Sequence, residues 1–327
     1  VRAALRFCFP ITLGLGAALT VLFPGASPGA TRTLNGFTLS SHTVDADEIR
    51  QGGPGRDGIP ALNDPNFVVA AESSWDDDER VIGLEIGGEA RAYPLAVLVW
   101  HEIANDTLGG KPVLVTYCPL CGTGMAFSRE VEGRARTFGV SGLLYRSDLL
   151  LFDRQTDTLW SQISAEAVTG SSQGTRLQLV RSRMLTWREW RAKHPGSTVL
   201  TTDTGHRRSY DRSPYGDYSR SGDVMFEAPV DPRYHPKLPT VGLRVPGGAS
   251  RGYPASEIEA AGGRIEERFE GRPIAIVYHP ESRSFEVDAP DDLEVVEGFW
   301  FAWAAFHPET SVFTSTSSRD ASGEPEP

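Results

Sequence analysis

The chain has 327 residues, enough for one large domain or two ordinary ones with a sizeable core. Its 43 acidic residues outnumber 32 basic ones, and the formal net charge of −11 argues against nucleic acid and anionic membrane surfaces as partners. Glycine (34) and proline (23) are abundant and periodic apolar stretches are short, so turns must be frequent and strands brief. The expected fold class is α+β, mainly β, as two related β-rich halves with a few short helices.

Residues 1–30 read as a signal peptide or signal anchor: Arg2 and Arg6 precede an apolar run from Phe7 to Phe23, followed by Pro24-Gly25-Ala26-Ser27. The protein is therefore expected to be extracytoplasmic: periplasmic, secreted or N-terminally anchored. An uncleaved N-terminal segment would be its one membrane contact. Cys8 lies in the apolar run and is expected to be removed with it or to remain in the membrane, so Cys118 and Cys121 carry any sulfur chemistry of the exported domain.

An N-terminal extension, residues 31–79, ends in the acidic cluster Asp76-Asp77-Asp78-Glu79, a solvated turn ahead of a strand. A first repeat spans 80–202. Its predicted elements are a hairpin (80–85 and 89–93), a short helix over 94–100, a return strand near Glu102 and strands over 111–117 and 124–128. A hairpin turning at Glu132-Gly133, strands over 149–153 and 177–182 and a helix over 186–193 follow, and His194-Pro195 stops that helix. A polar connector occupies 203–239, a degenerate second repeat 240–313, and a disordered Ser/Thr-rich, then acidic tail 314–327.

The repeat is ordered. Val81-Ile82-Gly83-Leu84 and Arg91-Ala92-Tyr93-Pro94 recur as Thr240-Val241-Gly242-Leu243 and Arg251-Gly252-Tyr253-Pro254. The strand at Lys111-Pro112-Val113 recurs at Arg272-Pro273-Ile274, and Trp187-Arg188-Glu189-Trp190 with His194-Pro195 recurs as Trp300-Phe301-Ala302-Trp303 with His307-Pro308. The second copy lacks most of residues 133–175 and has Tyr278-His279-Pro280 where the first has Tyr117-Cys118-Pro119. The first copy is thus expected to carry the site and the second to act as scaffold.

Cys118-Pro119-Leu120-Cys121-Gly122 has the form of a metal-binding knuckle, a tight turn that aims two thiolates at one point. A redox-active Cys-x-x-Cys pair sits instead at a helix N-terminus, whereas Gly122-Thr123-Gly124 is poor helix material. A structural disulfide between Cys118 and Cys121 is the rival that an oxidising compartment favours. Two thiolates alone suit Cu(I), and zinc or iron require further ligands. His101 is the first candidate, because its counterpart falls near Ala261 and is lost together with the cysteines. The bland alternative is a core histidine bonded to a backbone carbonyl. Met125 offers a thioether but reads more readily as core filler. His206 and His235 belong to the connector, and His194, His279 and His307 follow scaffold positions. Tyr117, Ser141, Tyr145, Asp153, Arg154, Trp160 and Gln162 are candidates for a pocket beside the knuckle. Turn chemistry accounts equally for Asp153 and Arg154, though less well for Ser161-Gln162.

Val115-Thr116-Tyr117-Cys118-Pro119-Leu120-Cys121-Gly122 occurs together with Asp57-Gly58-Ile59-Pro60-Ala61-Leu62, Arg91-Ala92-Tyr93-Pro94, His101-Glu102, Asn105-Asp106, Gly139-Val140-Ser141-Gly142-Leu143-Leu144-Tyr145 and Leu159-Trp160-Ser161-Gln162. Across residues 57–218 these motifs closely resemble a family of exported prokaryotic proteins known as domain of unknown function 3179. The resemblance implies that the knuckle and His101 are family features and supplies no activity. The expectation from the residues is a soft-metal-binding protein, copper first with zinc or iron as alternatives, open to a small molecule or metal as partner and to redox catalysis. A metal-free thiol-disulfide oxidoreductase and a disulfide-stapled binding module are the rivals.

Overall fold

The computed structural model describes residues 32–39 and 42–316. The expected signal segment and the tail from residue 317 onward lie outside the described residues.

The N-terminal extension is not a separate unit. After the small hairpin β1 (Arg32–Leu34) and β2 (Phe37–Leu39), it supplies one edge strand to each of three sheets: β3 (Ile49–Gln51), β4 (Leu62–Asn63) and β5 (Phe67–Val69). The first copy then runs β6 (Arg80–Ile86), β7 (Glu89–Pro94), α1 (Leu95–His101), β8 (Ile103–Leu108), β9 (Lys111–Cys118) and β10 (Thr123–Ser128). Helix α1 is apolar on most of its surface, and the Glu79 carboxylate accepts from the Ala96 N–H at its first turn. A short hairpin, β11 (Glu130–Val131) and β12 (Arg134–Ala135), turns at Glu132-Gly133 as expected, both with positive φ.

The segment absent from the second copy builds a sheet of its own: β13 (Phe138–Tyr145), β14 (Asp148–Asp153), β15 (Leu159–Ser161) and β16 (Glu166–Thr169), edged by β3. The strand expected over 177–182 is instead two. β17 (Leu179–Val180) pairs with β10 and β18 (Ser182–Thr186) with β6, so the chain changes sheets at Arg181. Helix α2 (Trp187–Lys193) opens on a capping box, with Thr186 and Glu189 each accepting from the other's backbone N–H, and β19 (Thr198–Leu200) follows.

The second copy repeats the plan as β20 (Pro239–Arg244), β21 (Ser250–Pro254), α3 (Ala255–Ala260), β22 (Arg264–Phe269), β23 (Arg272–His279), β24 (Ser284–Asp288), β25 (Glu294–Phe299), α4 (Trp300–Phe306) and β26 (Ser311–Val312). Sheet order repeats too: β18-β6-β7-β19 against β25-β20-β21-β26, each closed by a parallel strand, and β8-β9-β10 against β22-β23-β24. The packing explains why the shared motifs are shared. A Cβ on Gly83 would lie 2.3 Å from the Trp190 ring, and one on Gly242 2.2 Å from the Trp303 ring, so each copy needs a glycine beneath its tryptophan.

The copies do not close as two independent halves. Five sheets of three to five strands form a blade-like set, and the described residues belong to one compact unit. One hydrophobic cluster joins Cys118, Leu120, Cys121 and Phe127 to Val296, Phe299 and the α4 residues Trp300 to Ala304, so the second copy forms a wall of the knuckle's surroundings.

Candidate metal centre

The knuckle is the loop of an antiparallel hairpin. β9 and β10 pair in register from Val113 with Ser128 to Cys118 with Thr123, and Gly122 at φ +63° closes the turn. A Cβ there would lie 2.8 Å from the Phe299 ring, and the Phe299 N–H donates to the Cys121 carbonyl at 2.8 Å, which fixes the loop from the second copy's side. From the other side Gln162 spans both strands. Its amide donates to Thr116 Oγ1 (2.8 Å) and the Thr123 carbonyl (3.3 Å), and its oxygen accepts from Thr123 Oγ1 (2.7 Å).

A third side chain joins the two cysteines. One sulfur of Cys118, one of Cys121 and a carboxylate oxygen of Asp148 lie within 4.8 Å of one another, all buried. Asp148 arrives there on the tight turn between β13 and β14, where Tyr145 pairs with Asp148 and the two loop residues are Arg146 (φ +51°) and Ser147 (φ +68°). Left-handed backbone at two non-glycine residues costs roughly 1–2 kcal/mol each. Arg146 offsets part of it through Glu48 (2.7 Å) and the Ala305 carbonyl (2.7 Å). The turn aims the Ser147 carbonyl at the thiols, which donate to it at 3.3 Å (Cys121) and 3.9 Å (Cys118). Asp148 Oδ2 accepts from the Ile163 N–H (3.0 Å), while Oδ1 is buried with no partner.

Burial dominates the electrostatics. It pushes the Cys118 thiol up and the Cys121 thiol well up, and it carries the Asp148 carboxyl to about 7. Glu102, also buried, is pushed to about 8 by desolvation and, less, by the charge of Asp148, so it holds its proton at neutral pH. Its backbone is left-handed (φ +59°) at the end of α1, where the second copy has Gly263 (φ +86°), whose N–H and carbonyl make the matching bonds to Ile258 and Tyr278. The first copy thus keeps a carboxyl where its repeat uses the residue that the backbone prefers.

The connector folds over this region. Tyr215 donates to Glu102 Oε1 at 3.4 Å, and with Tyr117, Pro119, Tyr210, Arg212 and Tyr218 it lines a cavity of about 340 Å³ above the knuckle. The thiols do not line that cavity; Tyr117 and Pro119, the neighbours of Cys118, do.

The structure separates His101 from the cysteines. Its Nδ1 bonds the Pro60 carbonyl (2.7 Å), its Nε2 meets the Tyr210 hydroxyl (2.7 Å), and burial lowers its pKa to about 4. It is outside the ligating group, and its neighbours are His206, whose ring centre is 5.2 Å away, and the connector. This is the bland alternative that the sequence already offered. His235 accepts from the Lys237 N–H. Met125 is core. Ser141 sits at the β13 bulge, bonded to the Leu150 carbonyl and the Leu143 N–H, and Tyr145 packs on Phe306. Asp153 organises its own turn, accepting from the Thr156 N–H and hydroxyl and from Trp160 Nε1, while Arg154 forms a two-pronged ion pair with Asp57 at the surface. Of the pocket candidates, Tyr117 reaches the cavity and Gln162 braces the knuckle. Sequence reasoning missed Asp148 and Glu102. The loss argument applied to His101 covers both, since Asp148 lies in the segment that the second copy lacks and Glu102 aligns with a glycine.

Fold and site together define a mainly β protein with a buried dithiol-carboxyl centre. The chain belongs to DUF3179, a family described as of unknown function, whose match covers residues 56–291. That range runs well past the motifs of the first copy and takes in most of the second. No curated protein and no solved structure matches the chain.

Proposed function

We propose that this protein binds a metal ion through Cys118, Cys121 and Asp148. The observation that carries the reading is the convergence of two sulfurs and a carboxylate oxygen within 4.8 Å, with Asp148 Oδ1 buried and unpartnered. Two thiolates and a carboxylate form a borderline-soft donor set. The carboxylate moves the preference from Cu(I), which two sulfurs alone would suit, toward zinc, with iron next. Three protein ligands leave a position for a small molecule, and the cavity over Pro119 is where one would wait. Bound there, the ion would supply Lewis acidity; the chain's own residues would exclude water and fix the donors. Export belongs to the same reading and rests on the apolar segment at residues 7–23.

Metal-free thiol-disulfide chemistry is the weaker reading, because a nucleophilic thiol needs a lowered pKa and burial raises both of these. Zinc affinity measured by competition with a chromophoric chelator tests the ligand set. Asp148→Asn is expected to weaken binding by about tenfold or more, on the scale of losing an oriented ligand, and His101→Gln to leave it unchanged. Loss on His101→Gln with none on Asp148→Asn would replace this set with the one read from sequence.

A further inference from the structure

Lys237, two residues before β20 in the connector, is 2 % exposed. Its ammonium lies 3.8 Å from the centre of the Tyr218 ring and 5.2 Å from that of Phe301, and it donates to the Asp223 carbonyl. Among the described residues it forms no ion pair with a carboxylate, and the rings it faces, Tyr218 and Phe301, belong to the same buried cluster as Cys118 and Cys121. Phe299, whose ring centre is 5.9 Å from the ammonium, is the residue that packs on Gly122 and bonds the Cys121 carbonyl. Lys237 therefore shares an aromatic wall with the knuckle.

A buried cation without an anionic partner is costly, and aromatic faces offset only part of that cost. The missing anion has a source next door. Two thiolates and a carboxylate around a divalent ion carry one net negative charge, whereas the same three groups in protonated form carry none. We infer that Lys237 is the charge partner of the filled metal site, a positioning residue that stabilises the Cys121 thiolate in the loaded protein and lacks a partner in the empty one. This deepens the metal reading above and rests on it.

The inference predicts opposite effects on the two states, which a purely structural lysine would not produce. In Lys237→Met the metal-free protein should melt at or above the wild-type temperature, because an unpaired buried charge is gone, while zinc affinity should fall by about 10–100-fold, the usual scale for losing a residue that supports ligands. Lys237→Arg, which keeps the charge, should retain affinity within a few-fold. Unchanged zinc affinity in Lys237→Met overturns the inference. If the Met variant loses stability and affinity together, Lys237→Arg decides: affinity retained supports the charge role, and affinity lost as in Met overturns it. Wild-type protein that takes up no zinc at all would instead overturn the metal reading itself.

Discussion

Gln162 commits its amide and its oxygen to the two strands that hold the cysteines, a buried network with no solvent to replace it. Gln162→Ala takes the acceptor from the buried Thr123 hydroxyl and a donor from Thr116 Oγ1, which keeps its bond to the Met125 carbonyl, and leaves a cavity; it should cost about 2–3 kcal/mol in chemical denaturation. A cost below about 0.5 kcal/mol would mean that the network does not hold the knuckle. At this scale the sequence was legible where a residue failed its local explanation: turn chemistry covered Asp153 and Arg154, which turned out to be turn and surface residues, and left Ser161-Gln162 over. Asp148 was not legible. The turn that delivers it is Arg146-Ser147, without the Asn or Gly that marks such hairpins, and its carboxyl meets the thiols across 27 residues of chain.

That turn has a measurable consequence for the element it joins. Ser147 has left-handed backbone and a buried hydroxyl with no partner, yet its contribution to the centre is a carbonyl that any residue supplies. Ser147→Gly should therefore raise stability by about 0.5–1 kcal/mol in urea denaturation without changing metal affinity; destabilisation would show that the strain assigned to the turn is absent. The reverse logic holds where glycine is required by packing. Gly83→Ala and Gly242→Ala each drive a methyl into a buried tryptophan and should each cost about 1–3 kcal/mol, and equal tolerance at both would contradict the packing account. Element positions in the first copy were largely readable from alternation, turn residues and the helix stop at His194-Pro195. Missing from that reading were β13, β15, β16 and β19 and the strands of the extension. The edge strands find their partners β13, β8 and β19 far away in sequence, whereas β13, β15 and β16 pair with sequence neighbours but are buried on both faces, so the apolar-polar alternation that announces a strand is missing from them.

Across the whole molecule, the two copies meet where β10 packs on β25 and β18 on β24; beside these contacts the Met184 N–H donates to Glu297 Oε1 (3.4 Å) and Glu297 Oε2 is buried without a partner. Burial raises Glu297 to about 7 against an ordinary 4.5, so the folded state binds a proton more tightly than the unfolded one. Its contribution is complete below pH 4.5 and is lost as pH rises through 7, for a total of about 3 kcal/mol. Glu297→Gln should accordingly melt like the wild type near pH 4 and above it at pH 8; a gap that does not change with pH would contradict the assignment. The repeat was visible in sequence and returns as matching sheet order, whereas the joint packing of the two copies was not, because sequence similarity records shared elements and says nothing of which copy packs against which. That joint packing is why the second copy, Phe299 above all, belongs to the centre's surroundings. The most direct test of the centre is elemental analysis with parallel thiol counting on protein purified without chelator, wild type against Cys118→Ser/Cys121→Ser. The account predicts near-stoichiometric zinc, iron or copper in the wild type and none in the variant; metal-free wild-type protein with no titratable thiol would contradict it and leave a disulfide in its place.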